Sequence, residues 1–156
     1  MNYRENIEDF LDVMTGKKFV KNAIFDENKR TLFINFFNSY EEYKEHEEKH
    51  LVDENQYNSY IGTFNKIQKL VVLESARILR DFNEIENVSM SLHFEGKSYD
   101  ANVNRDELNR LIGYDIRELS PLNDSWRDKF SDIYGYGKEN DKRSELFNQF
   151  VITTNE

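Results

Sequence analysis

The sequence predicts an α+β fold in which a small, mainly antiparallel sheet of two hairpins packs on a long central helix, with additional C-terminal helices. Three patterns predict it. Apolar residues recur at helical spacing over residues 57–82, β-branched and aromatic runs flank the polar residues 26–29, and apolar residues alternate with polar ones over 88–94. The length of the chain favours a single domain over residues 1–156.

The composition restricts the classes of function. A net charge of −9 repels phosphate backbones and anionic lipid headgroups, so it predicts no nucleic-acid partner and favours a basic protein partner. The absence of cysteine excludes disulfides, thiolate metal sites and cysteine nucleophiles. No apolar run is long enough to insert into a membrane, and the N-terminus lacks the apolar core of a signal peptide. These features predict a cytoplasmic protein as written, and an extracytoplasmic one if a leader has been removed.

The first third of the chain predicts a helix followed by a hairpin. Apolar residues at i, i+4, i+7 and i+8 favour a helix over residues 2–14, and Gly16 is suited to end it. Residues 19–25 and 31–37 read as antiparallel strands. Both faces of the second strand carry aromatic side chains, which predicts a position inside the sheet.

The central helix follows a polar segment. Residues 39–56 are rich in Glu and poor in apolar side chains, which indicates a solvated helix edge or loop. The apolar stripe of residues 57–82 is interrupted only by the small Ser75. Basic residues along this helix are expected to complement the acidic surface of the chain itself; they are Lys66, Lys69, Arg77 and Arg80.

A second hairpin is predicted after the central helix. Residues 88–94 alternate cleanly, residues 95–97 form a tight turn, and residues 99–103 alternate on the return. Asn104 followed by Glu107 is typical of a helix-capping box. These signals predict a strand pair and then a short helix.

The C-terminal third predicts two further helices. Pro121 marks a break before a helix in which Trp126 is expected to fill the core. A last amphipathic helix is predicted over residues 141–151, and the polar tail 153–156 is expected to be frayed.

Residues 46–50 fit the H-E-x-x-H pattern of zinc hydrolases. On a helix, His46 and His50 would lie one turn apart and could share a metal ion, while Glu47 would activate the bound water. Glu74 is a candidate third ligand. Charged residues fill the intervening positions, so adventitious metal binding and a plain solvated charged face are the alternatives, the last being the default.

The remaining candidates for chemistry have simpler explanations. His93 could pair with Glu95 on one face of its strand, but a surface histidine on a half-exposed strand is the commoner arrangement. The sequence has no phosphate-binding glycine-rich motif and no nucleophile elbow. It therefore predicts no catalytic residue and no cofactor.

The order of strand, polar insert, long helix and strand ending in a Gly-Lys turn resembles the GerMN domain of sporulating bacteria. The residues that carry the resemblance are the runs Leu32-Phe33-Ile34-Asn35-Phe36 and Val88-Ser89-Met90-Ser91-Leu92-His93-Phe94-Glu95-Gly96-Lys97. It covers residues 31–99 and implies an extracytoplasmic, lipoprotein-like interaction module without catalysis. The helical C-terminal third and the missing leader depart from that family.

Two functions from different classes follow from these observations. The first is a non-enzymatic, acidic protein-interaction module of a bacterium, such as an inhibitor or immunity-type factor that binds a basic target. The second is a small zinc-dependent hydrolase that uses His46, Glu47 and His50.

Overall fold

A computed structural model describes residues 6–47 and 52–155 of the chain. A five-stranded sheet runs through it, and its strands lie side by side in the order of the chain. The strands are β1 (Val20–Asp26), β2 (Thr31–Phe36), β3 (Asn87–Phe94), β4 (Lys97–Asn104) and β5 (Val151–Asn155).

Helices occupy most of the remaining described residues, and the predicted α+β class is confirmed. No helix in the described part of the chain is both long and apolar enough to cross a membrane. The α-helices are α1 (Ile7–Val13), α2 (Tyr40–His46), α3 (Glu54–Ile61), α4 (Phe64–Lys69), α5 (Ser75–Asp81), α6 (Arg105–Ile112) and α7 (Asp141–Phe150), and two π-helical segments span Leu70–Glu74 and Arg127–Gly135.

The sheet is mixed, whereas the sequence predicted a mainly antiparallel one. β1–β2, β3–β4 and β4–β5 are antiparallel, but β2 and β3 are parallel, with Leu32 opposite Val88 and Ile34 opposite Met90. Parallel neighbours need a long crossover connection, and α2 to α5 provide it here. Local patterning predicts strands, but it does not say in which direction one hairpin joins the next.

The helices cover one face of the sheet. Alternate side chains of the three inner strands are buried, and the side chains between them are half-buried or exposed. β2 lies between β1 and β3, which confirms its predicted interior position. The buried side chains of the covered face are Leu32, Ile34, Phe36, Val88, Met90, Leu92, Tyr99, Ala101 and Val103.

The single helix predicted over residues 57–82 is wrong, because the chain breaks at Gly62. α3 ends there, and the Thr63 side chain caps α4 by accepting a hydrogen bond from the backbone N–H of Lys66 at 3.2 Å. A Cβ at position 62 would lie only 1.8 Å from the carbonyl oxygen of Asn58, so the bend requires glycine. The continuous apolar stripe conceals this break.

The frayed tail predicted over residues 153–156 is also wrong for the residues described. Residues 151–155 form β5 and pair with β4, with Ala101 opposite Val151. The helix predicted after Pro121 is the π-helical segment Arg127–Gly135. Trp126, just before it, is 8% exposed, which confirms its core position.

Arg105 ties the end of α5 to the start of α6. Its side chain is buried; Nε donates to the carbonyl oxygen of Leu79 at 3.1 Å, and Nη2 donates to those of Phe82, at 2.8 Å, and Ile85. These carbonyl groups lie at and beyond the last turn of α5, where the helix cannot satisfy them. Burial lowers the pKa of Arg105, yet the guanidinium stays charged because its ordinary pKa is so high.

Arg143 has the same role after the second π-helical segment. It is fully buried and donates to the carbonyl oxygens of Tyr134 at 3.1 Å and Lys138 at 2.6 Å. Burial lowers its pKa as well. Both buried arginines are thus structural, since their hydrogen bonds go to backbone carbonyl groups in the last helical turns and in the loops that follow.

Candidate functional site

The segment that carries the zinc hypothesis begins at the end of a helix. α2 ends at His46, and Glu47 has extended backbone angles of φ −101° and ψ 97°. The His46 imidazole packs against the Phe37 ring, with centroids 5.2 Å apart. His50 lies outside the described residues, and within them no three His, Asp or Glu side chains are grouped to hold a metal ion. The zinc pair therefore stays a prediction.

Glu74, the third ligand in that hypothesis, lies in a different cleft from any histidine described. Its carboxylate is buried and ion-paired with the Arg77 guanidinium. Burial raises the pKa of Glu74, while the charge and hydrogen bond of Arg77 and a hydrogen bond from Thr15 act in the opposite direction. Its observed partner is thus a guanidinium.

Carboxylates and tyrosine rings gather in a cleft of about 370 Å³ beside the turn between β3 and β4. We call it the acidic cleft. In the described part of the chain, the carboxylates of Glu41, Glu54 and Glu95 form no ion pair and no side-chain hydrogen bond. The lining residues are Asn38, Ser39, Tyr40, Glu41, Glu54, Tyr57, Asn58, Ile61, Gly62, His93, Phe94 and Glu95.

Helix caps place two of these carboxylates. The Ser39 side chain caps α2, and Asp53 forms a capping box with Gln56 at the start of α3. Glu41 and Glu54 consequently lie in first helical turns, where the helix dipole favours negative charge. The caps therefore explain both positions locally, and both side chains are exposed.

Tyrosine rings form the wall between these carboxylates. The centroids of Tyr40 and Tyr57 are 5.7 Å apart, and Tyr57 is 7% exposed. Burial, followed by the negative charges of Glu42 and Glu41, raises the pKa of Tyr57 to about 12. The nearby carboxylates therefore act on the Tyr57 hydroxyl group in the same direction as burial.

The third carboxylate sits on a strained turn. Glu95 has φ +49° and Gly96 has φ +75°, between the paired residues Phe94 and Lys97. A two-residue hairpin turn with both φ positive favours Asn, Asp or Gly at its first position. A glutamate there costs conformational free energy. Among the described residues, its side chain forms no hydrogen bond or ion pair that would offset this cost.

Arg30 has the same backbone strain as Glu95, and its contacts within the fold explain that strain. It also has φ +49°, at the end of the turn between β1 and β2. Its carbonyl oxygen accepts hydrogen bonds from the backbone of Glu86 and Asn87, and its guanidinium donates to the carbonyl oxygens of Asn83 and Glu84. Those contacts hold Arg30 in place, whereas the Glu95 carboxylate makes no comparable contact among the described residues.

His93 lines the acidic cleft from the C-terminal end of β3. It is half-buried, and its Nδ1 lies 3.2 Å from the hydroxyl oxygen of Ser98. The two residues are directly opposite in the β3–β4 register, so the strand pairing alone accounts for their contact. A His93–Glu95 pair was the less favoured alternative from the sequence, and the structure places both residues in one cleft.

Sequence reasoning missed the acidic cleft because its carboxylates come from three separate elements. The available signals were the two helix caps and a glutamate in a turn position that prefers Asn or Gly. No protein-family model, curated protein or solved structure matches this chain. The resemblance to the GerMN domain stays a prediction, and the function is inferred from geometry.

Proposed function

We propose that this chain is a non-enzymatic protein-interaction module that binds a basic partner protein through the acidic cleft. One observation supports it: three carboxylates without partners in the described structure surround tyrosine rings in a cleft of about 370 Å³. An Arg or Lys side chain of a partner would supply charge-assisted hydrogen bonds to the carboxylates and stack on a ring face. The net charge of −9 would speed the encounter.

Two triple variants separate the contribution of the acidic cleft to binding from the contribution of the overall charge. The triple variant E41Q/E54Q/E95Q neutralises the cleft, and E8Q/E84Q/E118Q neutralises three exposed glutamates elsewhere. Each change takes the net charge from −9 to −6. Any difference between the two variants therefore comes from the cleft.

Wild type and E8Q/E84Q/E118Q are expected to retain the same basic protein from a lysate at low salt, and E41Q/E54Q/E95Q to lose it. On the purified partner, calorimetry should show at least about tenfold weaker binding by the cleft variant and a loss of wild-type affinity with added salt. Equal affinities for all three proteins would refute the proposal. So would equal weakening of both variants, since the net charge would then suffice.

Glu95 gives a second test. Replacing it should relieve backbone strain and stabilise the fold, but the loss of its charge should weaken binding of the partner. Asn tolerates a positive φ better than Glu, so Glu95→Asn is expected to raise the free energy of unfolding by about 1 kcal/mol. The same variant should bind the basic partner more weakly, because the cleft loses a carboxylate. Urea unfolding and calorimetry measure the two effects.

Arg30→Asn is the matched control for that variant. It relieves the same positive φ but removes the guanidinium contacts to the carbonyl oxygens of Asn83 and Glu84, so it should lower stability. A Glu95→Asn variant that is less stable than wild type would show that Glu95 has a structural role. That result would contradict the functional explanation of its conformation.

A further inference from the structure

A groove on the exposed side of α4 has the opposite charge to the acidic cleft. Its first part, of about 320 Å³, is lined by Thr15, Gly16, Ser59, Lys66, Lys69, Leu70, Leu73, Glu74 and Arg77. A second part, of about 290 Å³, shares Thr15, Glu74 and Arg77 with the first and reaches Arg80 and Trp126. We call the two parts together the basic groove.

The basic groove holds cations that the fold leaves uncompensated. Arg77 is paired with Glu74, so the expected intramolecular role of the basic residues is right for it. It is wrong for the lysines: within the described ranges neither Lys66 nor Lys69 forms an ion pair, although the Lys66 ammonium donates to the carbonyl oxygen of Ser59. In a chain of net charge −9, these lysines make the groove a local positive site.

The floor of the basic groove is apolar. Leu70 and Leu73 lie between the lysines and Arg77 along the helix, within the π-helical segment Leu70–Glu74. Gly16 has φ +82°, and a Cβ there would lie 3.2 Å from Cδ1 of Leu70, so glycine allows the turn after α1 to approach this floor. π-helical turns occur frequently at binding sites.

We propose that the basic groove binds an amphipathic organic carboxylate, with its head group on Lys69 and Arg77 and its apolar chain on Leu70 and Leu73. Volumes near 300 Å³ suit a small ligand. The head group would exchange water for charge-assisted hydrogen bonds. A peptide suits the groove less well: helix faces form most of its walls, their backbone groups are already bonded, and the peptide amides would lack partners.

Trp126 provides a readout, because it is the only tryptophan of the chain. Its ring stacks on Phe130 with centroids 4.8 Å apart, and the guanidinium carbon of Arg77 lies 5.4 Å from the ring. A carboxylate bound beside Arg77 would change the electrostatic surroundings of the indole, while Arg77 keeps its pair with Glu74. Trp126 emission should therefore change as the groove fills.

The test is a titration with decanoate below its micelle concentration, followed by Trp126 emission and calorimetry. Decyltrimethylammonium, with the same chain and a cationic head group, is the matched probe. We expect saturable one-site binding of decanoate that weakens with salt, and no comparable binding of the cation. Lys69→Glu should weaken decanoate binding by about tenfold or more, while Lys142→Glu, an exposed charge reversal elsewhere, should not.

Circular dichroism checks that Lys69→Glu is folded, and Lys69→Gln serves as the milder variant if it is not. Equal binding of both probes, unsaturable binding, or wild-type affinity in the folded Lys69 variant would overturn the proposal. An acidic peptide that binds the groove when decanoate does not would overturn it too. The site is independent of the acidic cleft, so E41Q/E54Q/E95Q should bind decanoate as wild type does.

Discussion

Arg105→Met is expected to lower the free energy of unfolding by about 3–5 kcal/mol, one of the two largest effects predicted for this chain. Hydrogen bonds from a charged donor contribute about 1.5–3 kcal/mol each, and buried acceptors left without a donor add a desolvation cost. Arg105 makes such bonds to three carbonyl oxygens at the end of α5. Methionine restores the packing volume but none of the bonds. Urea unfolding monitored by circular dichroism measures the loss.

Arg110→Met, in the same helix α6, is the control. Its guanidinium is exposed and bonds only to Glu107 among the described residues, so its removal should barely move the urea midpoint. Arg105→Lys should recover only part of the loss, because an ammonium cannot reach all three carbonyl groups. An Arg105→Met protein as stable as wild type would show that water replaces the guanidinium.

The sequence predicted the inner strands well for a physical reason. When helices cover one face of a sheet, successive side chains must alternate between core and solvent, and residues 88–94 show this alternation clearly. β5 lacks that signal, because only Val151 of its five residues is even partly buried. Its place depends on pairing with Ala101, which is distant in sequence.

The helical signal over residues 57–82 was strong enough to hide two departures from an ideal helix. Gly62 and Thr63 form a C-cap and an N-cap in succession, a pair of signals that can be seen in the sequence. The π-helical segment Leu70–Glu74 cannot be seen there, because its wider turn keeps the same apolar residues on the buried side.

Neither the acidic cleft nor the basic groove could be predicted from the sequence, because each is lined by segments that only the fold brings together. Thr15 and Gly16 reach the basic groove only because α1 packs on α5, where the Phe10 and Phe82 rings meet with centroids 6.0 Å apart. The expectation that the basic residues serve the chain itself failed for Lys69, since charge counts do not locate ion pairs.

The other large effect is expected for Asp81→Asn, which should lower the free energy of unfolding by about 3–5 kcal/mol. Asp81 is 4% exposed and accepts two hydrogen bonds from Arg80, Nε to Oδ1 at 2.7 Å and Nη2 to Oδ2 at 2.9 Å. Asparagine removes the negative charge that accepts both of these hydrogen bonds from the buried guanidinium. The Arg80 guanidinium also lies 4.5 Å from the Trp126 ring, but a cation–π contact of about 1–2 kcal/mol cannot replace the carboxylate.

The helix dipole partly offsets the loss of stability expected for Asp81→Asn. Asp81 is the last residue of α5, where the helix dipole disfavours negative charge, so its neutralisation gains about 0.3–1 kcal/mol. That gain is smaller than the loss of the pair, so the net effect stays destabilising. In a double-mutant cycle measured by urea unfolding, Arg80→Met with Asp81→Leu should destabilise less than the sum of the single changes, because each single change already breaks the one ion pair that the two residues share. Additive losses would show that the two side chains stabilise the fold separately, through their other contacts rather than as an ion pair.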